Sequence, residues 1–435
     1  MTSLVTTVLV LTAAWSEAEW PQFRGPQGDG RAAAVNLPVS WSETENVRWK
    51  AAIPGRGWSS PVIGDGLIWV TTAIEHPADE QAKQQAQQKL AGNPMAKQMS
   101  IVGSITLRAV AVDVATGAIR HDVHLFDVAN PQPAHSLNSY ASPSPVLADG
   151  KLLCHFGDYG TACVSTATGQ VLWRARLNTE HSVGPGSSPA VFEDLLIVPC
   201  DGTETQFVAA LDISTGEPVW KTPRPKMTGS VGDLHKAFST PLVARLNGRD
   251  QAIIVGAQWV VGYDPRTGKE IWRLRHGEGF SNVPRPVIGH GLIYICTGFM
   301  KPALLAIPET VQGEVSLDQV VWSVSKQVPA QPSPILVDKG IYFVSDQGVA
   351  TSVDALTGET LWQDRIEGNY SASPLFADGK LYFSNRDGRT TVLKPGRVPQ
   401  ELAANQLDGQ LMASPAALDG ALFLRTDSHL YCIGK

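Results

Sequence analysis

The sequence predicts an all-β fold: an eight-bladed β-propeller of four-stranded antiparallel blades, closed by an N-terminal strand that joins the last blade. Three observations support this prediction. A unit of small residues, a proline and an apolar strand occurs eight times. Five of these units end in a Thr-Gly turn, usually followed by a tryptophan. Most spacings between the prolines fall between 40 and 52 residues, the period of one four-stranded blade. The prolines are Pro61, Pro145, Pro189, Pro241, Pro286, Pro334, Pro374 and Pro415.

The turn that ends a regular unit begins with Asp, or once with Ser165, and closes on Thr-Gly. An Asp at that position can accept the N–H groups of its own turn, and the Gly can adopt positive φ. A tryptophan on the strand that leaves the turn can fill the wedge between neighbouring blades. The tryptophans to which we assign this structural role are Trp49, Trp173, Trp220, Trp272, Trp322 and Trp362.

Each unit is interpreted as four strands that run from the channel outwards. In the second unit these strands are predicted at 144–148, 152–156, 161–165 and 171–175. The last unit has only three strands before the chain ends, and Val47–Ala52 resembles an outermost strand. We therefore predict that this segment completes blade eight, which closes the ring and hides two sheet edges.

The N-terminal region is predicted to be an export signal followed by a leader. Residues 1–18 contain an apolar run too short for a stable membrane anchor, and Ser-Glu-Ala at their end fits a cleavage site. Residues 19–45 form the leader, and residues 46–435 form the propeller. The expected location is therefore periplasmic or secreted. No later apolar run is long enough to predict a transmembrane segment.

An insertion at residues 75–103 interrupts blade one between its second and third strands. Its residues favour a helix but offer only a narrow apolar stripe. Strand direction places it over the face of the ring that carries the blade-to-blade crossovers. It could act there as a lid, a partner contact or a solvated excursion.

Composition excludes several classes of function. The net charge is −6 and no Lys/Arg cluster occurs, so a nucleic-acid partner is not expected. Phosphate-binding Gly-Lys-Ser/Thr loops, Gly-x-Ser-x-Gly elbows and His-Glu-x-x-His zinc motifs do not occur in the sequence. We therefore predict no catalytic residue and no metal ligand, and the oligomeric state is left open.

The crossovers carry the most chemically varied residues. Because they meet where the innermost strands surround the channel, their polar and aromatic side chains are a candidate ligand mouth. The alternative is that they only solvate and cap the ring. The candidate residues are Arg56, Trp58, Asn138, Tyr140, His181, His235, Lys236, Asn282, Arg285, Gln331, Asn369 and Tyr370.

Five cysteines occur, none in a Cys-x-x-Cys motif. If the hairpin between Cys154 and Cys163 is centred between Asp158 and Tyr159, the two cysteines face each other within disulfide range. An oxidising compartment would preserve such a bond. A one-residue bulge would instead point the two sulfurs to opposite faces and leave buried thiols.

The repeats resemble those of the pyrroloquinoline quinone (PQQ)-type β-propeller family. The resemblance rests on Asp-x-x-Thr-Gly-x-x-x-Trp at 212–220, 264–272 and 354–362, and it extends over about residues 41–435. The segment Trp-Pro-Gln-Phe-Arg-Gly-Pro at 20–26 looks like the leader of exported single-ring members. The resemblance implies two branches. Scaffold members, such as the BamB outer-membrane assembly factor, bind proteins, whereas quinoprotein dehydrogenases use PQQ and calcium to oxidise alcohols or sugars.

The sequence favours the scaffold branch. The adjacent cysteines that often cover the quinone in larger quinoproteins are not found, and no carboxylate stands out as a catalytic base. We predict an exported non-catalytic propeller that binds a protein or small ligand at the channel mouth, without a cofactor. The alternative is a PQQ-dependent oxidoreductase with calcium, and a carbohydrate-binding or sensory module is a third possibility.

Overall fold

The computed structural model describes residues 19–93, 95–230, 232–418 and 420–435, so the predicted signal peptide lies outside the described residues. Eight antiparallel sheets, most of them four-stranded, follow one another around the channel. The predicted all-β, eight-bladed propeller is confirmed.

Blades one to four follow the predicted order from innermost to outermost strand. Blade four also has a fifth, parallel strand at its outer edge. The strands are Val62–Gly64, Leu67–His76, Ser104–Asp113 and Ile119–Ala129 in blade one; Val146–Ala148, Lys151–His155, Thr161–Ser165 and Val171–Ala175 in blade two; Ala190–Phe192, Leu195–Asp201, Gln206–Asp212 and Pro218–Pro223 in blade three; and Leu242–Leu246, Arg249–Val255, Trp259–Tyr263, Glu270–Arg275 and the added Gly313–Val315 in blade four.

Blades five to eight continue the ring. Blade seven receives a parallel strand from the leader, and blade eight takes its outermost strand from the N-terminal end of the propeller. The strands are Val287–Gly289, Leu292–Cys296, Leu304–Pro308 and Trp322–Val324 in blade five; Ile335–Val337, Gly340–Val344, Val349–Asp354 and Thr360–Arg365 in blade six; Leu375–Ala377, Lys380–Ser384, Arg389–Lys394, Gln400–Gln406 and the added Arg31–Ala32 in blade seven; and Ala416–Leu418, Ala421–Arg425, His429–Gly434 and Val47–Ala52 in blade eight.

The ring closes as predicted. Val47–Ala52 pairs antiparallel with His429–Gly434, the third strand of blade eight. With this pairing, the strand His429–Gly434 is hydrogen-bonded along both of its edges, and Val47–Ala52 takes the outermost place in blade eight.

The hydrophobic core lies between neighbouring sheets. Alternate residues of each strand point to opposite faces, so one face of a blade packs on the preceding blade and the other on the next. Leu153 and Cys163 of blade two, for example, pack with Leu196, Val198 and Leu211 of blade three. The core is therefore divided among the joints of the ring.

Most of the predicted inter-blade tryptophans cover the turn of the next blade. The Trp173 indole N–H donates to the Ile213 carbonyl at 3.0 Å, and its ring lies directly over Gly216 of the same turn. Trp49, Trp220, Trp322 and Trp362 donate to the next blade in the same way. Trp272 differs: its ring is buried in the core between blades four and five, but its N–H donates to Gln251 of its own blade.

Seven of the eight residues that precede the repeat prolines carry a hydroxyl, and these hydroxyls link the blades. Ser144 Oγ accepts the Ser60 N–H at 2.8 Å, so a side chain of one blade holds the backbone of another. The pattern closes where the Ser414 N–H donates to Ser60 Oγ at 3.0 Å. Arg285 is the exception. The hydroxyl residues are Ser60, Ser144, Ser188, Thr240, Ser333, Ser373 and Ser414.

The leader at 19–45 lies against the innermost strands. Trp20 exchanges backbone hydrogen bonds with Ile63 of blade one. Arg31–Ala32 pairs in parallel with Leu375–Ala377 of blade seven. The Phe23 carbonyl also accepts a hydrogen bond from Arg285 of blade five, on the opposite side of the ring, so the leader crosses the channel.

The insertion contains the expected helix, at Glu80–Lys89, with no buried residue. Asp79 caps it by accepting the Ala82 N–H. A 3-10 turn follows at Ala96–Gln98, and a short strand pair joins Met99–Ser100 to Ala134–His135. Further 3-10 turns occupy Gly157–Tyr159, Asp233–His235 and Leu317–Gln319. Within the described part of the chain, no helix has the length and apolar character needed to cross a bilayer.

Of the two alternatives for the Cys154–Cys163 hairpin, the directly opposed register is not found, because the pairing is shifted by one residue. Cys154 pairs with Ala162, and Cys163 pairs with Leu153. The reason is the 3-10 turn Gly157–Tyr159, which centres the hairpin on Asp158. Neighbouring strand positions face opposite sides of a sheet, so the sulfurs point into different joints and both cysteines are free.

Candidate functional site

A cavity of about 630 Å³ opens on the crossover face of the ring. Its lower part is formed by the pre-proline hydroxyl residues and by Phe23 of the leader. The insertion reaches its edge through Asn93, Met95 and Gln98, so it overhangs this face as strand direction predicted.

The walls of the cavity are mainly apolar. They come from several separate crossovers and loops, and the described lining residues include four phenylalanines and three methionines. Met300 is 79% exposed, and Phe299 and Leu137 are 38% and 39% exposed, so the apolar surface continues onto the rim. The apolar lining residues are Phe23, Trp58, Met95, Leu137, Val183, Phe238, Phe280, Val283, Phe299, Met300 and Met412.

The hydroxyls at the base of the cavity have a structural role. Ser144, Ser188 and Thr240 each accept a backbone N–H from the preceding blade. Each of these residues comes directly before a proline, and the proline restricts the backbone of the residue that precedes it. This restriction directs the hydroxyl side chains along the ring. The hydroxyls therefore hold the blades together instead of forming an isolated nucleophile.

One charged cluster lies in the wall. The Lys236 ammonium donates to Asp233 Oδ1 and Ser182 Oγ, both at 2.6 Å. Burial by itself would raise the pKa of Asp233, but the hydrogen bonds from Lys236 and Ser182 hold that pKa below its ordinary value. Asp233 is therefore held ionised, and Lys236 forms a salt bridge with it.

His135 lies at the mouth with its Nε2 atom 2.6 Å from Gln98 Oε1 of the insertion. Burial lowers the pKa of His135, and the positive charges of Lys236 and Arg386 lower it further. The imidazole is therefore neutral near pH 7, and it joins the insertion to the rim through a neutral hydrogen bond.

The cavity walls do not fit PQQ with calcium. PQQ is a polycarboxylate, and calcium takes about six to eight oxygen ligands. Among the described lining residues Asp233 is the one carboxylate and Lys236 the one ammonium, and they are bonded to each other. No group of three or more His, Cys, Asp or Glu side chains able to hold a metal occurs among the described residues.

Four of the predicted mouth residues line the cavity: Trp58, Asn138, Lys236 and Gln331. Arg56 lies beside it, with its guanidinium 5.2 Å from the centre of the Trp58 ring. Asn369 is exposed, outside the lining. Whether any of these residues binds a ligand stays a prediction.

The other predicted mouth residues are buried in the ring and do not line the cavity. Polarity alone does not show whether a crossover side chain points to solvent or between blades. Tyr140 packs near Tyr159, and the Tyr370 hydroxyl donates to the Glu367 carbonyl. These buried residues are Tyr140, His181, His235, Asn282, Arg285 and Tyr370.

Apart from Trp58, the apolar wall residues were not recognised from the sequence. Phe238, Phe280 and Phe299 lie outside the strands, in segments where an apolar side chain has no strand face to fill. Their position outside the strands was the signal from which these wall residues could have been identified. Only the closed ring shows that these separate residues meet in one cavity.

Comparison with known proteins agrees with the fold. A family profile described as "Outer membrane protein assembly factor BamB" matches residues 79–258 and 256–398. The outer membrane protein assembly factor BamB of Legionella pneumophila (strain Paris) is 23% identical over 209 residues, covering 44% of this chain and 49% of that protein. The tetrathionate hydrolase of Acidianus ambivalens is 26% identical over 151 residues, 28% of each chain. The chain thus spans about half of one relative and about a quarter of the other.

A solved structure shows the same architecture. The crystal structure of BamB from Moraxella catarrhalis superposes with a TM-score of 0.54 and 14% identity, covering 78% of this chain and all of that chain. At this identity the similarity supports the fold alone.

Proposed function

The chain belongs to the BamB family of PQQ-type β-propellers, and we propose that it is a non-catalytic scaffold whose cavity receives an apolar segment of a partner protein. The observation that carries this proposal is the apolar wall that continues onto an exposed rim at Phe299 and Met300. The predicted signal peptide and the names of the relatives support a periplasmic or secreted location.

The rim favours a polypeptide over a small ligand. Small-molecule sites bury most of their ligand in an enclosed cleft. An exposed apolar patch beside a cavity is typical of a protein contact. Methionine side chains adapt to different partners, and Met95, Met300 and Met412 all line this cavity. A segment with apolar side chains on one face fits these walls best.

A carbohydrate is a poorer fit. Sugar recognition usually uses free charged side chains, but the carboxylate of Asp233 and the ammonium of Lys236 in this wall are bonded to each other, and the hydroxyls at the base each hold a backbone N–H and keep only an O–H donor for a ligand. The ring of Trp58, the largest lining aromatic, is only 6% exposed, so this ring offers little surface on which a sugar could stack.

The test uses protein that is exported through its own predicted signal peptide. The ligands are fluorescently labelled extended peptides in which aromatic and polar residues alternate. Binding measured by fluorescence anisotropy should be at least tenfold weaker for Met300→Glu, because a carboxylate would be placed in the apolar rim. The control is Val398→Glu, which alters a 72% exposed valine outside the cavity lining and should bind like the unmodified protein.

Two results would contradict the proposal. One is equal peptide binding by both variants, which would locate binding elsewhere. The other is dye reduction with alcohols or aldoses after incubation with PQQ and calcium, which would establish the oxidoreductase alternative.

A further inference from the structure

Two arginines meet in the channel beneath the cavity. Arg24 of the leader is 1% exposed and Arg285 of blade five is 2% exposed. The Arg285 guanidinium donates to the Phe23 carbonyl, immediately before Arg24 in the chain, at 2.6 Å. It also donates to Gln22 Oε1 and the Pro241 carbonyl. The leader and the ring therefore each contribute a buried cation to the same region.

Arg24 is incompletely bonded. Its Nη2 atom donates to the carbonyls of Asp29 and Pro334, each at 2.7 Å. Its Nε and Nη1 atoms are buried and have no hydrogen-bond partner among the described residues. Unpaired donors of a buried cation carry a large desolvation penalty, so these groups indicate a missing acceptor.

The local charge is unbalanced. Burial lowers the pKa of Arg24 to about 10 and that of Arg285 to about 9. The positive charge of Arg24 lowers the Arg285 value further, whereas Asp29 raises both. The Asp29 carboxylate accepts the Arg31 N–H and does not hydrogen-bond either guanidinium. The two guanidinium cations and the one nearby carboxylate give this region a net charge of about +1.

Arg224, another buried arginine, is paired directly with a carboxylate. Arg224 makes a two-point contact with the Asp201 carboxylate, at 3.0 and 2.9 Å. Arg24 has no such partner among the described residues. The space around it is also narrow, because an added Cβ on Gly30 would approach its Nη2 to 2.8 Å, and one on Gly28 would overlap the Arg285 guanidinium.

We propose that a small monovalent inorganic anion of the halide class binds Nε and Nη1 of Arg24, under the leader and beside Arg285. Its single negative charge balances the region. A monatomic anion needs less space than a polyatomic anion or a carboxylate, and the space around Arg24 is narrow. The anion thereby fastens the leader to the ring.

The first test is diffraction from crystals of the exported protein grown in bromide. An anomalous peak within about 3.5 Å of the Arg24 guanidinium supports the site. Ordered water at that position, with no anomalous signal, would overturn the proposal.

The second test measures thermal unfolding at constant ionic strength while chloride replaces gluconate. Above the dissociation constant, each tenfold rise in chloride should raise the melting temperature by about 1–2 °C. Arg24→Met should remove this dependence. Arg425→Met is the matched control, because Arg425 is equally buried but bonded to Ser59 and Thr71, and this variant should retain the dependence.

An equal chloride response in Arg24→Met and the unmodified protein would mean a general salt effect and would refute the site. If Arg24→Met fails to fold, the bromide crystals of the unmodified protein decide the question. Neither test depends on peptide binding, so the cavity proposal and the anion proposal can fail separately.

Discussion

The joint between blades two and three and the joint between blades four and five achieve the same packing with different residues. At the regular joint, Trp173 covers the turn that contains Gly216, and the Ser144 N–H donates to Ser188 Oγ. This arrangement depends on the Thr-Gly turn and on the hydroxyl before the proline.

The joint between blades four and five has neither feature. Blade five replaces the turn with a longer excursion whose strand Gly313–Val315 pairs with the outermost strand of blade four. Trp272 is fully buried and bonds to Gln251 of its own blade. Arg285 occupies the hydroxyl position, and Ser239 Oγ donates to the Pro284 carbonyl instead. At this joint, where the repeat lacks the Thr-Gly turn, the buried ring of Trp272 and the added strand Gly313–Val315 take the place of the contact between a tryptophan and the next turn.

The largest expected difference between the joints concerns their tryptophans. Trp272→Ala should lower the free energy of unfolding by about 3–5 kcal/mol because it leaves a large internal cavity. Trp173→Ala should cost only about 1–2 kcal/mol, because its half-buried ring loses one hydrogen bond and less buried area. Urea unfolding of both variants measures the two costs, and equal costs would invalidate the distinction.

Acid should weaken the region of blades two and three. Burial lowers the pKa of His155 to about 3 and that of His181 to about 4. The unfolded chain binds protons below about pH 6.5 and the folded chain does not, so stability present above that pH is lost as the pH falls towards 4. The expected loss is about 2 kcal/mol for each histidine between pH 7 and pH 5.

His181→Phe tests this assignment, since it keeps a ring beside Phe238 but removes one titrating group. Urea unfolding as a function of pH should show a shallower acid dependence for the variant. An unchanged slope would show that His181 is not a source of the acid sensitivity.

The turn of the regular joint is expected to tolerate no side chain at Gly216. Its φ is +78°, and an added Cβ would approach Trp173 Cε3 to 2.6 Å. Gly216→Ala should therefore cost about 2–3 kcal/mol, measured by urea unfolding. Gly291→Ala, in a hairpin of blade five with φ +75° and no atom within 4 Å, should cost only about 1 kcal/mol from the backbone strain. Similar losses would exclude a ring contact.

The smallest expected effect concerns the hydroxyl links. Ser188→Ala removes the acceptor of the buried Ser144 N–H and should cost about 1–2 kcal/mol. Ser239→Ala removes a donor and leaves a carbonyl acceptor unpaired, which should cost less, about 0.5–1 kcal/mol. Thermal unfolding can rank the two variants, and the reverse order would argue against the importance of the hydroxyl links.

Much of the ring could be predicted from local chemistry. Each blade repeats its own proline, turn and strand pattern, so the number of blades and the closing role of Val47–Ala52 follow from the order of these signals. The location of the tryptophans between neighbouring blades could also be predicted, because a large ring on the strand after the turn fits in few other places. Trp272 bonded differently because its partner turn belongs to another, diverged repeat.

For the candidate site, the sequence predicted on which face of the ring it lies but not which side chains line it. Strand alternation locates the crossover face, but it does not say which crossover side chains turn inwards. Trp58 and Lys236 line the cavity, whereas Tyr140 and Asn282 are buried in the ring. The register of the Cys154 hairpin also depended on one residue of turn geometry, and a shift of one residue reverses the face of every side chain.

By itself, the sequence determined the blade repeat, the ring and its closure, because these depend on short-range backbone preferences that recur in every unit. Tertiary structure alone decided the course of the leader through the channel, the meeting of Arg24 with Arg285, and the apolar cavity. The physical reason is that these features join residues from different repeats and from the leader. Their contacts come from the closed ring, and no local pattern encodes them.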